Sequence, residues 1–287
     1  MKVVPQAFYQ ASQVKKVMRD GLCSVIHKYA SQADLDNHRL LSAHALTVVR
    51  KGGLMVHNDE GLPTHVSNGQ MVLLPKGLYA ITDLIPKEDV FEAMVYFFDD
   101  ELIHSFLQQK GLAQTEVICE PKPVKFSVNE SLSQFNEQLL SLYANLETDA
   151  AIVRLKLLEA LHLIDAKDQN GSFVEKVQEL TAKPRKRLEQ FMNNHYDKPL
   201  DVEAFAQLSG RSIATFRRDF HRLFGKAPKQ WLIDKRLTKA QELLSTNEYS
   251  VSRVAQLSGY TDMPHFIKSF QKQFNISPKQ FALSQRI

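Results

Sequence analysis

The five residues Ala206-Gln207-Leu208-Ser209-Gly210 recur unchanged as Ala255-Gln256-Leu257-Ser258-Gly259, and the pattern downstream of each copy recurs with them. Phe216, Phe220 and Phe224 return as Phe266, Phe270 and Phe274, and Pro228-Lys229-Gln230-Trp231 returns as Pro278-Lys279-Gln280-Phe281. The offset is 49 at the first motif and 50 at the last, so one residue has been inserted within the second copy. A unit that reads apolar helix, Ser-Gly turn, second helix with an aromatic at every fourth position is a helix-turn-helix. Two in tandem within a basic segment form an arrangement for reading DNA.

Charge follows the same division. Residues 185–287 hold eighteen Lys and Arg against nine Asp and Glu, a net +9, whereas residues 1–184 hold eighteen against twenty-three, a net −5. A basic C-terminal third on an acidic remainder is the electrostatic footprint of a DNA-binding domain joined to something else. At 287 residues the chain has length for two domains, each with its own core. No apolar run approaches the roughly 18 residues of a membrane span, and no signal peptide is legible at the N-terminus. Cys23 and Cys119 lack metal-ligand spacing, so reduced thiols and a cytoplasmic location are expected.

Upstream, the pattern from Ala45 to Phe98 is strand-like. Ala45–Arg50 and Leu54–Val56 flank Lys51-Gly52-Gly53, read as a hairpin signal. Met71–Leu74 ends at the turn Pro75-Lys76-Gly77, Leu78–Thr82 resumes alternation, and Val90–Phe98 places Phe91, Ala93, Val95 and Phe97 on one face. Such spacing predicts a small β-barrel or sandwich. Asp99-Asp100-Glu101 opens a helix running through Lys110 to Gly111. Ser127 to Glu130 reads as a capping box for a helix carrying Leu132, Phe135, Leu139, Leu142 and Leu146. A second helix carries Ile152, Leu155, Leu158 and Leu161. These stripes either pack on the strands or form a dimerisation surface over residues 127–164. Asp165–Gly171 is polar and linker-like, and a short helix near Ser172–Leu180 leads to a break at Thr181–Pro184.

Within the basic segment, helices are predicted over 185–195, 201–208, 212–224, 228–245, 250–257, 262–274 and 277–284. In each unit the second helix enters the major groove. Spacing i, i+4, i+7 puts Phe216, Phe220 and Leu223 toward the core and leaves Ala214, Thr215, Arg217, Arg218 and Arg222 for DNA. Arg217 and Arg218 are the strongest readers, because a guanidinium pairs bidentately with guanine. In the second unit Phe266, Phe270 and Phe274 face the core, leaving Met263, His265, Ile267, Lys268 and Lys272. Lys268 matches Arg218 and is suited to phosphate, which positions without specifying. The intervening helix of about 18 residues spans roughly 27 Å, enough to hold two recognition helices in successive grooves about 34 Å apart.

Residues 185–287 resemble the DNA-binding domain of the AraC/XylS family of bacterial transcription regulators. The likeness rests on Lys235-Arg236-Leu237, Ala240, Leu243-Leu244, Val254-Ala255, Gly259-Tyr260, Phe266, Phe270, Phe274 and Pro278. Ala214 and Lys268 depart from it, standing where the family usually carries a bulkier or polar reader and often an Arg. Upstream, Leu46–Leu54 and Met71–Tyr79 are similar to the family's cupin-like effector and dimerisation domain, most of all in the branch that activates virulence and type III secretion genes. The resemblance implies an activator that recruits RNA polymerase and responds to a fatty acid, another small molecule or a regulatory protein.

Other classes fit less well. A cupin-type metal enzyme fused to a DNA-binding domain needs clustered ligands on barrel strands, and His57 and His65 lack the His-x-His and downstream Glu. Nucleophilic catalysis needs an activated Cys or a Gly-x-Ser-x-Gly elbow, and neither is present. A non-specific architectural protein would bind every sequence equally and lose affinity steeply with salt. The sequence therefore predicts an α+β, non-enzymatic regulator without metal or cofactor. Its expected parts are a cupin-like barrel with helical dimerisation segment over 1–165, a linker over 166–184, and a tandem helix-turn-helix domain over 185–287. Lys28, His44 and Arg50 are the candidate cations for an acidic effector inside the barrel.

Overall fold

The computed structural model describes residues 2–32, 38–58, 62–87, 89–112, 121–168, 170–181 and 188–285. Cys119 and the expected break near Pro184 lie outside them. The chain divides into two compact units, Met1–Lys183 and Pro184–Ile287.

The first unit is built on two sheets. One has the order β1 (Lys2–Val4), β4 (His38–Leu41), β9 (Gly77–Leu84), β6 (Gly53–His57), β7 (Thr64–Ser67). The other runs β11 (Val124–Ser127), β8 (Gln70–Leu74), β5 (His44–Lys51), β10 (Phe91–Phe98), β3 (Cys23–Ala30), β2 (Val14–Asp20). Facing each other as a flattened barrel, they enclose Ile26, Val49, Leu54, Val66, Val72, Phe91 and Phe97. Strand β10 is central, antiparallel to both β3 and β5. Its Phe91, Ala93, Val95 and Phe97 enter this core, while Met94, Tyr96 and Phe98 enter a second one. That second core is closed by α1 (Asp100–Gln109), α2 (Glu130–Tyr143), α3 (Ala150–Asp165) and α4 (Ser172–Glu179). A strand buried on both faces reads as a continuous apolar run rather than an alternation.

Several local expectations change. Lys51-Gly52-Gly53 makes no hairpin: β5 and β6 belong to different sheets, and Gly52 is the corner between them. Its φ is +75°, and a Cβ there would lie 2.5 Å from the Leu84 carbonyl oxygen, so only glycine fits. Asn129 rather than Ser127 caps α2, its Oδ1 accepting from the Leu132 N–H at 2.8 Å, because Ser127 still belongs to β11. The core stripe of α3 is Val153, Leu157, Ala160, Leu161 and Ile164. Leu155, grouped by the sequence with Leu158 and Leu161, is 64% exposed, and Leu142 and Leu146 are 60% and 61% exposed. Within the stretch read as linker, α4 buries Phe173 and Val177 in the helical core, which holds it against the first unit.

The second unit contains α5 (Leu188–His195), α6 (Val202–Leu208), α7 (Ile213–Phe224), α8 (Pro228–Ser245), α9 (Val251–Leu257), α10 (Met263–Phe274) and α11 (Pro278–Ser284). Caps explain where they begin. Asp201, Ser212, Ser250, Asp262 and Ser277 each accept a backbone N–H two or three residues into the helix. Pro228 and Pro278 occupy first turns, where the missing donor costs nothing. Helix α7 stops at Gly225 and α10 at Asn275, both left-handed.

Candidate nucleic-acid interface

Helices α6 and α7 form the first helix-turn-helix, α9 and α10 the second. Their cores are built alike. Phe216 and Phe220 are fully buried, as are Phe266 and Phe270. Phe220 meets Phe224 at 4.4 Å and Trp231 at 5.5 Å between ring centroids, and Phe270 meets Phe274 at 4.6 Å and Phe281 at 5.8 Å. Leu223, expected in the core, is 49% exposed. The aromatic at i+8, Phe224, takes that place, its ring tilted against Trp231 at 4.8 Å between centroids.

With the aromatic face inward, each second helix turns a matched stripe outward. On α7 it is Ala214, Arg217, Arg218, His221 and Arg222, all exposed. Fifty residues on, α10 presents Pro264, Ile267, Lys268, Gln271 and Lys272, also exposed, with His265 beside them. Thr215 is half-buried, its hydroxyl accepting from Ser212 Oγ at 3.0 Å. Met263 is half-buried against the second aromatic core. His221 and Gln271 belong to the stripes without being among the sequence-predicted contacts. The i, i+3, i+4, i+7 spacing from Ala214 and Pro264 is the signal that finds them.

The arginine stripe of α7 is braced by carboxylates. Asp219, buried on the same helix, accepts from Arg211 Nε at 3.3 Å, while Arg211 Nη1 donates to the Ser209 carbonyl at 2.7 Å. Arg218 and Arg222 each approach Asp219 at 3.8 Å, and Arg217 lies 3.6 Å from Glu203 on α6. These last three guanidiniums remain 62–76% exposed, so they keep most of their donors for an anion. The second unit has Ser269 where Asp219 stands. Its turn carries Tyr260-Thr261 where the first has Arg211 alone, and this is the inserted residue. Tyr260 is buried, 5.1 Å from the Phe266 ring, and burial pushes its hydroxyl up to about 12.

The candidate effector cations do not converge. Lys28 lines a narrow cavity between the sheets, with Phe8, Arg39, Leu41, Thr47, Ile81 and Phe91 among its walls. Its volume is about 30 Å³. Lys28 Nζ already donates to both oxygens of buried Asp83, at 2.7 and 2.6 Å. His44 lies outside the cavity, 3.2 Å from Asp100 Oδ1 and accepting from the Lys76 N–H through Nδ1. Burial holds its imidazole below the usual range, and contacts with His44 and Lys76 hold the Asp100 carboxyl well below its own. Arg50 is on the opposite face of its sheet, pairing with Glu92 at 3.0 Å and Glu137 at 2.6 Å. The odd-even alternation of β5 decides this. Buried Arg39, two residues from Leu41 on β4, is a wall residue that the same alternation would have disclosed.

Fold and site together define a two-unit DNA-binding regulator, with two helix-turn-helix elements in one unit and a β-barrel in the other. Residues 44–176 match the ExsA N-terminal regulatory domain and residues 205–284 match a helix-turn-helix domain. The chain belongs to the AraC/XylS family of transcription regulators. Over 224 residues it is 24% identical to the virulence regulon transcriptional activator VirF of Yersinia enterocolitica, covering 77% of this chain and 82% of that one. It is 23% identical to the thermoregulatory protein LcrF of Yersinia pestis over 81% and 87% of the two chains. The HTH-type regulator ExsA of Pseudomonas aeruginosa is 24% identical over 85% and 87%. Among solved structures, an apo ToxT variant of Vibrio cholerae aligns over 93% of this chain and 98% of that one, with 10% identity and a TM-score of 0.43. No helix among the described residues is long and apolar enough to cross a membrane.

Proposed function

We propose that this chain activates transcription by laying α7 and α10 into two segments of major groove and recruiting RNA polymerase there. The observation that carries this is the pair of exposed stripes, matched position for position, one bearing three arginines and the other two lysines. The names of the relatives, which include virulence regulon activators, support activation as the sense of control. On this reading residues 1–165, with α4 packed on them, sense and dimerise, and 185–287 bind promoter DNA in the cytoplasm without enzymatic chemistry. The test is selection of bound sequences from a random duplex library by the full chain, followed by footprinting. A single two-part site supports the reading, and equal recovery of all sequences, with affinity set by salt alone, overturns it.

Two observations favour two inputs to the first unit. The apolar lining with Lys28 and Arg39 has the chemistry for a fatty acid or a similar small acid, which would have to widen the cavity and whose carboxylate would compete with Asp83 for Lys28. Exposed Leu142, Leu146, Ile152 and Leu155 suit a regulatory protein or a second copy of the chain over residues 127–164. Mass spectrometry of an organic extract, beside a matched blank, separates them. A stoichiometric acid supports the interior route, and an empty extract with concentration-dependent mass in solution supports the surface.

A further inference from the structure

Helix α8 is shared by both helix-turn-helix elements, and its middle is where they are tied together. Arg236 is half-buried there, with its guanidinium turned to the loop that follows α5. Nε donates to the Tyr196 carbonyl at 2.7 Å, and Nη2 donates to the carbonyls of Lys198 at 2.6 Å and Leu200 at 3.1 Å. Lys239, one turn further along, pairs with Asp197 of the same loop at 2.5 Å. This loop leads directly into α6, so it belongs to the first reading element.

From the other side the turn of the second element presses on the same point. Gly259 has φ +85°, and a Cβ there would lie 2.6 Å from the Asp197 carbonyl oxygen and 3.0 Å from Arg236 Nε. Backbone of the first element, a guanidinium from the shared helix and backbone of the second element therefore meet within van der Waals contact. Helix α8 packs on both elements, through Trp231 on Phe220 of the first and through Leu237, Ala240 and Leu244 in the core of the second. Three hydrogen bonds donated by a charged planar group, closed over by a glycine, add a direct and directional tie between them.

We propose that Arg236 and Gly259 are positioning residues that hold α7 and α10 at one spacing and one angular phase, so that the protein demands a fixed number of base pairs between its two half-sites. Neither residue contacts DNA in this role. The inference rests on the proposed two-groove reading. It adds that the distance between half-sites is specified by this junction rather than by the recognition helices.

The test uses the full chain and the two-part site recovered by selection, with one, two and five base pairs inserted between its halves. Five base pairs are about half a helical turn and put the halves on opposite faces. Wild-type protein is expected to lose about tenfold or more in affinity at that insertion, the equivalent of losing one half-site's base contacts. Arg236→Lys keeps the charge but not the fork, and Gly259→Ala wedges the junction. Both are expected to bind the native spacing more weakly and to lose much of the spacing penalty, so their ratio of native to inserted affinity falls toward one. Binding to an isolated first half-site should be unchanged.

Variants that weaken on every site by one factor, keeping the wild-type spacing ratio, overturn the proposal. So does wild-type protein indifferent to the insertions, an outcome that needs no variant to fold. A chain with no preferred site at all is a different failure, which overturns the proposed function and this inference with it.

Discussion

The two helix-turn-helix elements share a core and differ in their surfaces. Each buries a pair of phenylalanines completely and closes them with a third aromatic and a ring from the following helix. Around that common interior, the first carries Arg217, Arg218 and Arg222 braced by Asp219 and Glu203, and a short turn stapled by Arg211. The second carries Lys268 and Lys272 with no carboxylate at the Asp219 position, a longer turn filled by Tyr260, and Pro264 in the first turn of its reader. Packing keeps one geometry in both copies while the surface chemistry differs. On the proposed reading, planar, bidentate recognition of bases falls to the first and holding of the backbone to the second.

If the cores are equivalent, emptying them should cost the same. Phe220→Ala and Phe270→Ala are each expected to destabilise the second unit by about 3–5 kcal/mol, read from chemical denaturation of the full chain. A large effect in one and a small one in the other would break the equivalence. The turns should then differ. Asp219→Ala leaves the Arg211 guanidinium without its carboxylate and should cost about 1.5–3 kcal/mol. Ser269→Ala at the matching position should cost under about 1 kcal/mol. Comparable losses would mean that the staple contributes nothing particular to the first element.

Binding separates the surfaces. Arg218→Ala should lose about 1–3 kcal/mol on the preferred site and relax the preference at one or two base pairs. Lys268→Ala should weaken preferred and random DNA alike and reduce the salt slope by about one. An exchange of these two patterns would reverse the assignment of reader and holder.

The smallest expected effect is a pH one. Asp234 on α8, half-buried, accepts from Lys226 at 2.8 Å and Gln230 at 2.8 Å. Despite opposing desolvation, these contacts hold its carboxyl below the usual range. A depressed folded-state pKa adds stability above the ordinary carboxylate value of about 3.9, and that stability disappears as pH falls through the depressed one. Asp234→Asn should therefore be slightly less stable than wild type at neutral pH and indistinguishable from it in strong acid. The matching residue in the second copy is Ser284, so Ser284→Ala should show no such convergence.

The aromatic spacing was legible because it is local. A residue every fourth position must share a helix face wherever the helix goes. Leu223 was misplaced by the same rule, since i+7 and i+8 lie about equally close to the stripe and only the ring of Trp231 decides between them. In the first unit, β10 and its inward set were readable, whereas β3 was not. Its buried His27 and Lys28 interrupt the apolar pattern, and their partners, Glu92 and Asp83, are 65 and 55 residues away. Among the candidate effector residues, Lys28 alone lines the cavity, because strand pairing and sheet membership decide which face a side chain takes.

By itself, then, the sequence determined that this chain has a basic tandem reader of DNA, where its helices start and stop, and which aromatics they bury. All of these follow from periodicity, capping and charge acting over a few residues. Tertiary structure alone decided that Gly52 is a corner between sheets and that Asp83 occupies Lys28. It alone placed Arg236 and Gly259 in one junction between the two elements. Those contacts join segments from about 20 to 60 residues apart, and no local regularity encodes which distant carbonyl a buried charge will meet.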